Sequence, residues 1–377
     1  MKKTWVALAV AGMFAGAAHA QSSVTLYGIL DVNYMWQELP TNVGTSAAPR
    51  IQQESVSAIN GGHQAGNRWG LRGSEDLGGG MSAIFTLESG FDIDRGTLGQ
   101  GGRLFGRQAW VGVQGGWGAL VAGRLATFSS GTGSFDMFGR TDPFATGFGL
   151  ASLGNTFISA NALRVDNAIA YRTPKMGGFQ GALGYTTRID GAETAPNNTN
   201  VKAFISALTF ETGPFWASVT YDAVDNIGNN PDQKHLQIGA TYDIGQFRLH
   251  AGYADQSNIG ALPSLQGGAG AFLNLPAGIA PFDATAYMGG VTWKLGAWQF
   301  MGSYQWFNAK GSSGRNPATG ATVVFDPDYT VWGIGTTYSL SRRTNLYASY
   351  ASRDADGTLS GNAFDAQQFA VGLLHRF

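Results

Sequence analysis

The chain has 377 residues, 44% of them hydrophobic, 12% aromatic and only 13% charged, with 56 glycines and no cysteine. Charged residues usually make up about a quarter of a globular chain, so this balance excludes a disordered polymer, and a formal net charge of −1 argues against a nucleic-acid binder, which is normally basic. Without cysteine there is no disulfide framework, no thiolate metal site and no cysteine nucleophile. The length suits two ordinary domains or one large β-barrel.

In chain order, Met1-Lys2-Lys3 is a short basic start, Trp5 to Ala18 is apolar and rich in small residues, and Ala18-His19-Ala20 has the small-x-small form of a cleavage site. This predicts a secretory signal peptide over 1–20 and a mature domain over 21–377. The apolar run is shorter than the ~20 residues a spanning helix needs.

The mature chain alternates almost throughout. From Val24 to Gln37 the even positions are Val24, Leu26, Gly28, Leu30, Val32, Tyr34 and Trp36, and the odd ones run from Thr25 through Asp31 and Asn33 to Gln37. Side chains point alternately to the two faces of a strand, so one face is apolar and the other mixed to polar. The pattern returns at 215–222, 235–243, 247–253, 298–306 and 368–377. Seven short connectors rich in Gly, Pro, Asp and Ser lie at 75–80, 115–118, 174–178, 211–214, 243–246, 294–297 and 340–344, as tight turns require. Eight longer polar segments lie between them, at about 38–66, 92–103, 126–162, 190–200, 223–233, 255–283, 308–328 and 354–364. Seven turns and eight loops join 16 strands of roughly ten residues each, the length that crosses a bilayer when tilted.

Short turns on one side and long loops on the other, with aromatics near the ends of the apolar faces (Tyr34, Trp36, Trp298, Trp306, Phe377), are the pattern of an outer-membrane barrel. The predicted fold is therefore all-β, a 16-stranded antiparallel transmembrane β-barrel with short periplasmic turns and long extracellular loops. Lipid offers the backbone no hydrogen-bond partners, so the sheet must close on itself, and at 16 strands the bore is an aqueous channel.

The charges follow the polar faces. Arg68 and Arg72 share a face opposite Trp69 and Leu71. Arg107 alternates with Gln108, Trp110 and Gly112; Arg124 shares a face with Leu120 and Ala122, opposite Val121 and Leu125; Arg164 and Arg172 oppose Val165, Ile169 and Tyr171. An arginine facing mid-membrane lipid costs about 2–4 kcal/mol, so these side chains are expected along one arc of the inner wall, where positive charge favours anions. The segment 126–162 carries Asp136, Arg140 and Asp142 among many apolar residues. It is expected to fold into the bore, narrow it, and set its acids opposite the arginines.

No constellation of nucleophile, base and acid stands out, and no histidines have metal-ligand spacing. The expectation is a channel, with no enzymatic activity, no catalytic residue, no metal and no cofactor.

Several motifs carry a family resemblance. Ser23-Val-Thr-Leu-Tyr-Gly28, Arg68-Trp-Gly-Leu-Arg-Gly-Ser-Glu-Asp-Leu-Gly78, Arg107-Gln-Ala-Trp-Val-Gly-Val113, Trp117-Gly-Ala-Leu-Val-Ala-Gly-Arg124, Arg164-Val-Asp-Asn-Ala-Ile-Ala-Tyr-Arg-Thr-Pro174 and Phe369-Ala-Val-Gly-Leu-Leu-His-Arg-Phe377 resemble, in that order, segments of Gram-negative general porins of the beta-proteobacterial type. The resemblance implies a homotrimeric outer-membrane porin with its third loop in the bore, passing small hydrophilic solutes and ions. It implies a basic constriction at Arg68, Arg107 and Arg164, with Arg72 and Arg124 adjacent and Asp136 and Asp142 as acids of the third loop. It also implies that Phe377 is read by the barrel-assembly machinery. The alternative reading is a substrate-specific outer-membrane channel, for example for organic acid anions.

Overall fold

The computed structural model describes residues 23–42, 51–157, 164–227, 231–259, 281–315, 322–325, 328–355 and 365–377. The expected signal segment lies outside the described residues. So do 260–280 and 356–364, most of two expected loops.

The first half of the sheet comprises β1 (Ser23–Asn42), β2 (Ile51–Gly61), β3 (Arg68–Gly78), β4 (Met81–Gly90), β5 (Gln108–Gly115), β6 (Gly118–Ala126), β7 (Arg164–Arg172), β8 (Phe179–Thr186) and β9 (Lys202–Thr212). The second half comprises β10 (Phe215–Asp225), β11 (Gln233–Ile244), β12 (Phe247–Ile259), β13 (Phe282–Leu295) and β14 (Trp298–Ala309). A short pair, β15 (Ser312–Arg315) and β16 (Thr322–Phe325), lies within the loop after β14, and β17 (Tyr329–Ser339), β18 (Thr344–Ala355) and β19 (Ala366–Arg376) follow.

Every neighbour pair in the main sheet is antiparallel, and the sheet closes where β1 pairs β19 from Ile29↔Arg376 to Glu38↔Gln367. The other edge of β1 is shared. Its first part pairs β3, from Ser23↔Ser74 to Ile29↔Arg68, and its last part pairs β2, from Val32↔Gly61 to Asn42↔Ile51. Thus β2 and β3 are two halves of one stave, interrupted at 62–67, and the barrel has 16 staves. The segment 38–66, expected as a loop, is largely strand: β1 runs on to Asn42 and hydrogen-bonds β2. Its alternation is polar on both faces, so hydrophobic period alone does not reveal it. In the same way 255–259 belongs to β12.

The expected faces are present. Val24, Leu26, Val32 and Tyr34 are exposed on the outside, while Asp31, Asn33 and Met35 are buried within. On β10 the exposed Val219 and Tyr221 alternate with the buried Trp216, Ser218, Thr220 and Asp222.

The largest apolar core is inside the bore. The third loop, described from Thr127 to Phe157, lies along the inner faces of β10 to β19. It is bound there by Ser218 Oγ donating to Met137 O (2.7 Å), His250 Nδ1 against Thr141 O (3.0 Å), Gln305 Nε2 to Ala151 O (2.9 Å) and Tyr329 OH to Asn155 O (2.5 Å). Leu150 N closes the series by donating to Gln368 Oε1 at 2.8 Å. Beneath it Phe138, Phe144, Phe148, Leu150, Leu153 and Phe157 pack on Ala284, Ala286, Met288, Met301, Phe307 and Val331. Each fully buried side chain of this size contributes about 1.5–3 kcal/mol, so the apolar underside holds the loop to the wall. The seat is cut by glycines. A Cβ at Gly239 would lie 1.9 Å from Thr141 Oγ1, and one at Gly333 would lie 2.6 Å from Ala151 Cβ.

Candidate pore constriction

With the third loop seated on one wall, open space remains against the other, which is built from β3, β5 and β7. There Arg68, Arg107 and Arg164 line one gap of about 400 Å3, closed on the far side by Ser130–Gly133 and Ala145–Gly147 of the loop. The three guanidiniums expected at the constriction are therefore brought together.

Arg68 sits at the first position of β3, and its Nε donates to Gly66 O at 2.9 Å. Arg107 lies one residue ahead of β5. Its Nε donates to Glu88 Oε1 at 2.7 Å and its Nη2 to Thr132 Oγ1 at 3.1 Å. The second oxygen of Glu88 accepts from Tyr27 OH at 2.9 Å. Arg164 opens β7, and its buried Nε has no hydrogen-bond partner among the described residues. Glu88 is the one carboxylate within 4 Å of any of the three among the described residues. Three guanidiniums thus face one ion-paired carboxylate, with Asp136 of the loop as the other acid on the gap, and the gap carries a positive excess.

The acids of the loop do a different job from the one expected. Asp142 is 3% exposed, and its oxygens accept from the backbone N–H groups of Phe144, Thr146 and Leu153. It organises the loop from within and does not face the arginines. Asp136 accepts from the N–H groups of Gly131, Phe138 and Gly139, yet it also borders the gap. Burial pushes both carboxyls up to about 6.

The two adjacent candidates separate. Arg72 points inward, with its guanidinium 5.2 Å from the centre of the Tyr27 ring, and lines a second hollow of about 310 Å3 together with Arg172. Arg124 does not line the gap. It is held by Asp166 and by Gly106 O, and Arg103 binds the same Asp166 at 2.9 Å, so a carboxylate on β7 ties two cations together.

Strict alternation fails at two points on this wall. Gln108 and Trp110 point inward together with Arg107, because Arg107 precedes the strand and turns in to meet Glu88. The β6–β7 register shifts between Gly123 and Leu125, where Gly123 has φ +137°. Opposite it Asn167 has φ 50°. The extra residue lies on β7, and this bulge turns Val165, expected on the outer face, into the core under the loop. Arg124 keeps the parity of the exposed Leu120 and Ala122, opposite the buried Val121 and Leu125, so it stays off the inner wall. Glu88 is not among the residues expected at the site. The signal was there: it shares parity with the inward Thr86, and its stave lies between those of Arg68 and Arg107.

Comparison with known proteins points the same way. A family model described as Gram-negative porin matches residues 7–358. An outer membrane porin protein of Bordetella pertussis is 35% identical over 417 residues, covering 100% of each chain, and outer membrane porin protein 32 of Delftia acidovorans is 35% identical across 66% of this chain and 68% of its own. Among solved structures, an anion-selective porin from Comamonas acidovorans superposes with a TM-score of 0.70 at 23% identity, covering 95% of this chain and 100% of that one. OmpT of Vibrio cholerae in a trimer form superposes at 0.59 with 15% identity, covering 94% and 99%.

Proposed function

Because the chain belongs to the Gram-negative porins of the outer membrane, we propose that it is a passive, water-filled channel whose arginine constriction favours small hydrophilic anions. The observation that carries this is the meeting of Arg68, Arg107 and Arg164 on one gap with Glu88 as their bonded counter-charge. At ~6 Å and an effective dielectric of ~20, one unpaired guanidinium attracts a passing anion by about 3 kcal/mol and repels a cation equally. The inner wall needs no moving part for this, and the fixed charges act whenever the bore is wet.

The test is the reversal potential of the channel in a planar bilayer under a potassium chloride gradient. The wild-type channel reverses toward the chloride potential, and changing Arg68, Arg107 and Arg164 together to Gln removes most of that bias. Cation preference in the wild type would overturn the proposal. Forked guanidiniums also match carboxylates two bonds at a time, which favours organic acid anions as a second reading. Liposome swelling with solutes of equal size and different charge separates a general channel from one dedicated to such acids.

The remaining features complete the reading. Residues 1–20 act as the cleaved export signal, and 21–377 form the barrel. Three copies assemble in outer-membrane lipid, as in the trimer form of the Vibrio protein. The exposed C-terminal Phe377 serves as the contact for the assembly machinery.

A further inference from the structure

We propose that a second anion station, built from Arg140, Arg248 and Lys294, stands at the turn end of the bore and takes small oxyanions, carboxylates or phosphates. It lies on the wall opposite the arginine arc, on inward positions next to the turns at 245–246 and 296–297. Short turns mark the periplasmic side, so this is the inner mouth.

The cations come from separate elements. Arg140 is carried by the third loop, which dips far enough for its Nη1 to reach Glu211 Oε1 at 2.7 Å, with its guanidinium 5.5 Å from the centre of the Trp216 ring. Arg248 of β12 binds Asp243 through both Nε (2.6 Å) and Nη2 (2.9 Å). These pairs fix the direction of each guanidinium and leave further N–H groups unused. The backbone N–H of Lys294 on β13 donates to Gln246 O at 2.9 Å, and the side-chain ammonium has no hydrogen bond or ion pair within 4 Å among the described residues. All three border one cavity of about 460 Å3, together with Gln246 and Gln299. A water takes roughly 30 Å3 of liquid, so the cavity holds an oxyanion with part of its hydration shell.

The charge balance favours anions. Arg140, Arg248 and Lys294 stand against Asp243, which both arginines approach, and Glu211, whose charge Arg140 shares with Lys175. Asp142 also borders the cavity, but its oxygens are already taken by backbone N–H groups. A carboxylate or phosphate would gain charge-assisted bonds from rigid forks on two sides and from a free ammonium on the third. The inference rests on the chain being an open channel, but not on the selectivity of the arc.

Inorganic phosphate is the probe. The chloride current of a single channel is recorded while phosphate is added to one chamber and then to the other. Phosphate should reduce the current more from one chamber than from the other. Lys294→Glu, and separately Arg248→Gln, should raise the half-blocking concentration from that chamber about tenfold, the effect of one lost contact of about 1.4 kcal/mol, while Lys294→Arg retains the block. Lys294 has no partner to lose, so its variants assemble. Equal block from both chambers, or sided block that Lys294→Glu leaves intact, would overturn the proposal. The reversal potential separates the two ideas. The triple change at Arg68, Arg107 and Arg164 should move it and spare the sided block, whereas Lys294→Glu should do the opposite.

Discussion

Arg107 Nε donates to Glu88 Oε1 across 2.7 Å while Tyr27 OH holds the other carboxylate oxygen at 2.9 Å. The acid is saturated from two staves, so the guanidinium is fixed in one orientation with its Nη2 reaching Thr132 on the loop. A single carboxylate therefore sets the direction of Arg107 and offsets one of the three charges on the gap.

Glu88→Gln should remove the counter-charge and keep an acceptor for Arg107. The reversal potential in a salt gradient should move further toward chloride. Glu88→Ala should instead leave a buried cation without its partner, at a cost of about 3–5 kcal/mol. The readout is the temperature at which the purified barrel unfolds on a semi-native gel. An unchanged reversal potential in Glu88→Gln would place this acid outside the conduction path.

Asp136 should make selectivity depend on pH. Its burial in the loop pushes the carboxyl up to about 6. Above that pH it is ionised and subtracts from the positive gap; below it the group is neutral. Anion preference should therefore rise as pH falls from 7.5 to 5, with a midpoint near 6, and Asp136→Asn should flatten the profile at its acid value. Reversal potentials taken across that range check both statements.

The seat of the third loop should not tolerate side chains. Gly239→Val would drive atoms into Thr141, and Gly333→Val into Ala151. Either change should lift the loop toward the arginines, lowering single-channel conductance and adding brief closures. The same substitution at Gly289, where a Cβ would meet nothing within 4 Å, should leave conductance at the wild-type level.

Removing Phe377 should weaken closure and assembly. Its N–H and C=O exchange bonds with Gly28, at 3.2 Å each, and its ring lies over the same glycine. The truncated chain should accumulate less folded protein in the outer membrane, measured as the heat-modifiable fraction on gels. A yield equal to wild type would show that the seam forms without this residue.

The barrel was legible because lipid on one side and water on the other impose a period of two on long strands, and because Gly- and Pro-rich turns recur between them. The inward placement of Arg68 and Arg72 followed from the same rule, whereas Arg164, the first residue of β7, lines the gap beside a Val165 that also faces in. What alternation cannot see is a change of its own phase. The bulge at Asn167 reverses parity for Val165, and Arg107 escapes the rule by standing just outside its strand. The role of Asp142 was equally hidden, since three backbone donors from one loop converge on it only after that loop has folded. Glu88 was within reach of the rule, on a strand flanked by two arginine-bearing ones.

The interrupted second stave has a further consequence. Between β2 and β3 the backbone leaves the wall at 62–67, where Asp31 Oδ2 accepts from the N–H groups of Gln64 (2.7 Å) and Ala65 (2.8 Å), and His63 O accepts from Phe148 N at 2.5 Å. His63 also stacks on Tyr347, 5.9 Å between ring centres. The detour is thus a clasp that catches the far tip of the inserted segment after it has swept across more than half the circumference. A version of the chain with those six residues excised could zip into an unbroken ladder, yet it would free the tip around Phe148 beside the slit, while the rest of the segment kept its seat on the far wall.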